Sequence, residues 1–149
     1  VRDLVGARVE EIESLTSEHA LELKGAGEFA SVPAHMSVWR DLLVAETADV
    51  LYSYQDQFYG DYAAVTKNTF GEGVVYYIGG GIDGTALDVI AKKVVERHSI
   101  DYIESDEDVE VYRRHAEDSS YLFVMNHSDQ KKQHGAIELQ PYESKIVKE

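Results

Sequence analysis

The chain has 149 residues with 14 basic and 28 acidic side chains, a formal net charge of −14, and no cysteine. That charge argues against nucleic acid and anionic membranes as partners, because affinity for polyphosphate rests on neutralisation by Lys and Arg. The missing cysteines exclude a disulfide framework, a thiolate nucleophile and a zinc–thiolate site, and no apolar run approaches the roughly 20 residues of a membrane-spanning helix. The expectation is a soluble, cytoplasmic protein long enough for one ordinary core or two small ones.

In chain order, Ala7 to Ile12 alternates weakly and predicts a strand. Residues 16–34 are polar and carry Gly25, Gly27 and Pro33, which predicts an irregular or hairpin region. Trp39 to Val44 and Ala48 to Tyr54 read as a strand pair with Glu46 near the bend. Ala63 to Asn68 is a further strand, Gly71 and Gly73 allow a reversal, and Val74 to Ile78 follows as an unbroken apolar and aromatic run. A run without polar alternation suits a strand covered on both faces. Thr85 to His98 predicts a helix whose face is Leu87, Ile90, Ala91 and Val94. Thr85 with Asp88 forms a capping-box-like start, and Arg97 and His98 suit the negative end of the helix dipole.

After the helix the composition changes. Asp101, Glu104, Asp106, Glu107, Asp108 and Glu110 crowd ten positions, and a domain boundary is expected there, dividing the chain into 1–104 and 105–149. Beyond it, Val109–Arg114, Tyr121–Asn126, Ala136–Leu139 and Tyr142–Val147 are short strand candidates. Glu117-Asp118-Ser119-Ser120 forms a polar turn between the first two.

Several segments invite a chemical reading. Gly79-Gly80-Gly81-Ile82-Asp83-Gly84 fits G-x-G-x-x-G between a strand and a helix, the pattern of a dinucleotide loop. Against it, Asp83 places a negative charge where the phosphate would sit, and the preceding strand reads as half of a hairpin. The competing reading is a turn in which Asp83 or Thr85 caps the helix. A glycosidase needs two carboxylates about 5–5.5 Å apart for retention, but the acidic residues fall in polar segments such as Glu10-Glu11 and Asp106-Glu107-Asp108, which read as solvated faces. There is no G-x-S-x-G elbow, and the six histidines lack the spacing of a metal site. Tyr52, Tyr54, Phe58, Tyr59 and Tyr62 could form a sugar-stacking platform, although aromatic residues also dominate cores and subunit contacts.

The segment from Phe58-Tyr59-Gly60 through Ala63-Ala64-Val65-Thr66-Lys67-Asn68 to Gly71-Glu72-Gly73 and Tyr76-Tyr77-Ile78-Gly79 resembles the late part of the trimerisation domain of glycoside hydrolase family 42 β-galactosidases. Upstream, Leu4-Val5-Gly6-Ala7-Arg8-Val9-Glu10-Glu11, Trp39 and Ala48–Tyr54 are similar to earlier segments of that domain. Downstream, Val109–Arg114, Tyr121–His127 and Leu139-Gln140-Pro141-Tyr142-Glu143 resemble the family's small C-terminal β-domain. The stretch between His127 and Pro141 is shorter than the family's usual one.

The resemblance implies an α+β, strand-rich chain. Its first part is a partial α/β trimerisation domain of amidotransferase-like kind, beginning well inside that domain, and a small antiparallel β-domain follows. It implies a noncatalytic assembly fragment of an enzyme that hydrolyses terminal β-D-galactosides. The expected partners are the parent chain's catalytic barrel and further copies in a homotrimer. The family's catalytic glutamates lie on the barrel and match no position here, so no catalytic, cofactor-binding or metal-binding residue is assigned. Two other readings stay open: an independent carbohydrate-binding β-module using its tyrosines, and a nucleotide-binding enzyme built on the Gly79 loop.

Overall fold

A short helix α1 (Arg2–Val5) opens the chain and ends on Gly6, whose φ of 68° places it in the left-handed region. Strands β1 (Ala7–Ser14), β2 (Leu21–Gly25), β3 (Ala34–Ala45), β4 (Asp49–Tyr54), β5 (Ala63–Phe70), β6 (Gly73–Ile78) and β7 (Gly80–Ile82) follow, then helix α2 (Gly84–Arg97). After α2 come β8 (Val109–Ala116), β9 (Ser119–Asn126), β10 (Lys132–His134), β11 (Ile137–Leu139) and β12 (Ser144–Lys148). This computed structural model describes residues 1–16 and 19–149. Its contacts divide the chain into two units, Val1–Val94 and Val95–Glu149.

The first unit is one antiparallel sheet in the order β1-β3-β2-β4-β5-β6, with β7 also on β3. A further pairing, Leu43 with Ala63, returns β5 to β3 and closes the path β3-β2-β4-β5 on itself. That closure explains why Met36, Tyr52, Ala64 and Val65 are fully buried. They form one cluster with Leu42, Tyr54, Phe29 and, from α2, Ala86 and Ile90.

Three expectations change here. The strands β3 and β4 follow each other but are not paired: β4 lies between β2 and β5. The end of β3 has no vacant edge for it, since β1 occupies one side while Ala63 and Gly79 bond the other. Val74 to Ile78 is a half-buried strand at the end of the sheet order rather than a covered interior one. Its apolar run reflects partial cover of both faces. The buried face of α2 is turned by one position. Ala86 and Ile90 are buried and Val89 packs beside them, while Leu87 is 43% exposed. The region 16–34 holds β2 and a single 3-10 turn at Gly27–Phe29, with residues 17 and 18 outside the described residues.

The phase of α2 is set at its first turn. Asp83 Oδ1 accepts the N–H of Ala86, and Oδ2 accepts the N–H of His35 at 2.5 Å. Burial opposes the charged form of Asp83, but these hydrogen bonds and the His35 ring outweigh it and hold the carboxyl below its ordinary range.

The same geometry disposes of the dinucleotide reading. Gly80–Ile82 is a strand pairing antiparallel with β3, and a carboxylate already fills the anion position at the helix start. The glycine run serves close packing: a Cβ on Gly80 would lie 2.3 Å from the Trp39 carbonyl.

Two family-like segments distant in sequence meet at Gly6. Asn68 Nδ2 donates to the carbonyls of Asp3 and Leu4, and Thr47 Oγ1 donates to Asn68 Oδ1. The Gly6 carbonyl accepts the N–H groups of Glu46, Thr47 and Ala48. A Cβ on Gly6 would lie 2.5 Å from Asn68 Cγ, so both its backbone angle and its surroundings demand glycine.

The second unit has a three-stranded antiparallel sheet, β12-β9-β8, and a β10–β11 hairpin. Its core is small: Val109, Leu122, Val124 and Leu139, flanked by Ile103, Val111 and Ile137. Asn126 is buried and ties the hairpin down. Its Nδ2 donates to the carbonyls of Gln130 and Gln140, and its Oδ1 accepts from the Ser128 N–H and hydroxyl. The strands expected at Val109, Tyr121, Ala136 and Tyr142 are present as β8, β9, β11 and β12, the last starting at Ser144; β10 is additional.

Candidate assembly surface

Charged residues inside an apolar strand, Arg40 and Asp41 of β3, organise both faces of the first unit's sheet. Register places Glu13 of β1 opposite Arg40, and Arg40 Nε donates to Glu13 Oε2 at 2.5 Å. The buried guanidinium lies over the Tyr59 ring at 4.1 Å and the Tyr54 ring at 5.4 Å. Arg40 therefore ties the loop 55–62 to the sheet.

Within that loop Asp56 Oδ1 accepts the N–H groups of Phe58 and Tyr59, and Tyr62 N–H bonds back to the Tyr59 carbonyl. The Phe58 N–H is the chief reason the Asp56 carboxyl sits below its ordinary range. The result is a braced loop whose tip, Phe58, is 81% exposed. A large aromatic side chain held out on a fixed backbone loses little entropy when it docks.

Asp41 points to the opposite face. Its carboxylate accepts the Tyr77 hydroxyl at 2.7 Å, and its carbonyl accepts the Tyr54 hydroxyl. Burial, followed by the hydrogen bond to Asp41, pushes the Tyr77 hydroxyl up to about 12.

Alternation on β3 puts Trp39, Asp41 and Leu43 on this face, and register adds Ser14, Ile12 and Val9 from β1. Trp39, Ile12 and Val9 are exposed, and Val9 leads into an apolar cleft of about 190 Å³ lined by Val5, Ala7, Leu43 and Tyr77. Beside Trp39 the strand bulges. Val38 has φ 71° and is 61% exposed, where the register against β7 shifts between Ser37 and Arg40. A β-branched residue in the left-handed region is strained, and such strain concentrates at functional positions. The surface is thus an apolar stripe with a tryptophan on a strained bulge, features enriched at protein–protein contacts.

The five aromatic residues weighed for sugar stacking separate. Tyr52 and Tyr54 are buried, Tyr59 and Tyr62 are partly buried against the core, and only Phe58 of the five stands in solvent. They form no planar exposed row. Among the described residues no group of three or more His, Asp or Glu is placed to hold a metal ion.

Residues 1–101 match the family model for the β-galactosidase trimerisation domain, and residues 108–149 match that for the β-galactosidase C-terminal domain. The chain belongs to the glycoside hydrolase family 42 β-galactosidases.

Among curated family members, β-galactosidase BgaB of Geobacillus sp. is 30% identical over 131 residues, covering 87% of this chain and 19% of the relative. BgaA of Clostridium cellulovorans is 33% identical over 93 residues, 62% of this chain and 14% of the relative. The chain therefore spans about a fifth or less of the curated β-galactosidases it matches. Among solved structures, the β-galactosidase from Bacillus circulans sp. alkalophilus shares the fold with a TM-score of 0.82 at 24% identity, covering 99% of this chain and 25% of that one. The cold-adapted β-galactosidase from Rahnella sp. R3 gives a TM-score of 0.82 at 25% identity, with 99% and 24% covered.

Sequence reasoning missed the Arg40–Tyr59 clamp and the Val38 bulge. The first left a signal, an Arg-Asp pair inside a hydrophobic strand. The second left none, because valine ordinarily avoids positive φ.

Proposed function

We propose that this chain is the part of a family 42 β-galactosidase that follows the catalytic barrel, and that it assembles and braces the enzyme without cleaving sugar itself. The whole enzyme would hydrolyse terminal β-D-galactosides as a cytoplasmic homotrimer. The carrying observation is the apolar stripe of Val9, Ile12 and Trp39 beside a strained bulge, within the segment that matches a trimerisation domain. The loop tip Phe58 would add an anchor for a neighbouring subunit. We place the boundary between the two modules near residues 104 and 105. The first module would complete an amidotransferase-like α/β domain together with elements of the parent chain.

No carboxylate of this chain is assigned a catalytic role. The purified chain should leave a chromogenic β-galactoside uncleaved at high protein concentration. Turnover that disappears when one of its own carboxylates is replaced would overturn the reading. An independent sugar-binding module is less well supported, since Tyr52 and Tyr54 serve the core.

A further inference from the structure

The second unit carries an open strand edge whose register can be read from its hydrogen bonds. Among the described residues β8 pairs only with β9, so its other side has no partner strand in the three-stranded sheet. Asn126 N–H bonds the Glu143 carbonyl on the β12 side, which makes Val109 opposite Asn126 a pair without mutual hydrogen bonds. In an antiparallel ladder such pairs alternate, so the backbone groups of Val109, Val111, Arg113 and His115 all point off the sheet. Those of Val109 are taken: its N–H bonds the Asp106 carbonyl and its carbonyl accepts the Ser105 hydroxyl. A cleft of about 450 Å³ runs along the rest of the edge, lined by Val111 to Arg113 and His115 on one side and Asp101, Tyr102 and Ile103 on the other.

We propose that this edge pairs with the same edge of a second copy, antiparallel about a two-fold axis at Tyr112. In that register Val111 faces Arg113 of the second copy, and their outward backbone groups exchange about four hydrogen bonds across the two strands. Glu110 then faces Arg114 of the second copy, twice over. These charges lie on one face of the joined sheet with Tyr112, which stacks on Phe123 at 4.8 Å. Both are exposed in the single chain: Glu110 touches His127 Nε2 and Arg114 lies over its own Tyr112 ring.

Charge selects this register over its neighbour. Centring the axis on Arg113 would set Arg113 against itself and leave Glu110 opposite Ala116. Opposite charges directly across a ladder stabilise it and like charges destabilise it. Edge strands that must stay single are usually blunted by bulges, proline or cover, and β8 pairs with β9 in unbroken register from Val109 to Ala116. This contact lies wholly in the second unit and does not rest on the trimer reading.

The test is a charge exchange on the full chain. Glu110→Arg alone sets Arg against Arg114, and Arg114→Glu alone sets Glu against Glu110. Each single variant should associate roughly tenfold more weakly than the parent, from two inverted cross-strand pairs. An equimolar mixture of the two should regain association as a heterodimer, because each chain then offers the charges the other needs. Amide exchange at Val111 and Arg113 reads the site directly: both should become protected as parent concentration rises, and in the mixture but in neither single variant. Unprotected exchange at every concentration, or a mixture no better than its components, would overturn the proposal. Loss of first-unit assembly alone would leave this exchange pattern in place.

Discussion

The two units hold themselves together in different ways. In the first, the sheet closes through a pairing between Leu43 and Ala63, and its buried polar groups join segments far apart: Asn68 to α1, Arg40 to the loop 55–62, and Asp41 to β6. The second is built mainly from neighbours, with β12 returning to β9. β8 and β9 form a hairpin, β10 and β11 another, and Asn126 bonds the loop that follows it. Non-local closure allows a face of β3 to be committed outward, since its backbone is satisfied on both edges. The local hairpins of the second unit leave the outer side of β8 without a partner strand among the described residues.

The sharpest way to break the contrast is at Gly6. Gly6→Val combines left-handed strain of about 1–2 kcal/mol with overpacking of about 1–3 kcal/mol against Asn68 and Thr47. Together these should lower the first unit's stability by about 2–5 kcal/mol, and with a β-branched side chain towards the upper end. Amide exchange should rise across β1, β3 and β5 while β8 and β9 keep their protection, and a uniform rise across both units would unite what is separated here.

Next in size, Ile90→Ala should cost about 2–5 kcal/mol by thermal unfolding, with its cavity. Leu87→Ala, on the exposed side of the same helix, should stay within about 1 kcal/mol. Equal losses would restore the helix face expected from periodicity alone.

In the second unit, Asn126→Ala leaves the Gln130 and Gln140 carbonyls without their donor and should cost about 1–3 kcal/mol. The β10–β11 hairpin should lose exchange protection first. Unchanged protection there would show that the hairpin holds itself.

The smallest effect concerns pH. The Asp83 carboxyl is held below its unfolded value, so its contribution is present above the unfolded pKa and is lost as pH falls through the folded one. Asp83→Asn loses the charge and, because an amide nitrogen cannot accept, one of the two backbone N–H bonds, and should cost about 1 kcal/mol at pH 7. The difference from the parent should shrink at low pH. A difference that grows on acidification would reverse the sign assigned to this group.

Legibility in the sequence follows the same division. Every expected strand of the second unit exists, because hairpins are written in adjacent residues: Glu117-Asp118 turns β8 into β9. In the first unit β1, β4, β5, β6 and the second half of β3 were legible, but β2 and β7 were not, and neither were the partners. Trp39–Val44 and Ala48–Tyr54 looked like a hairpin, yet long-range pairing places β2 and β5 beside β4. The helix face was misplaced by one residue because the cap is Asp83, whose carboxylate also bonds His35, 48 positions away. The candidate surface was legible as aromatic content but not as geometry. Nothing local marks Val38 for a positive φ, and the clamp on Phe58's loop needs a β1–β3 register that only the fold supplies.

The central claim is that the first unit's outer face is an assembly surface. Sedimentation equilibrium at micromolar concentration in physiological salt tests it most directly, comparing the chain with an Ile12→Ser, Trp39→Ser double variant. At that ionic strength the Debye length is about 8 Å, so the net charge of −14 opposes contact only at close range. The parent chain should sediment as a dimer, trimer or larger species, and the variant should shift towards the monomer with its circular dichroism unchanged. A parent that is a stable monomer throughout, or a variant that associates as strongly, would contradict the claim.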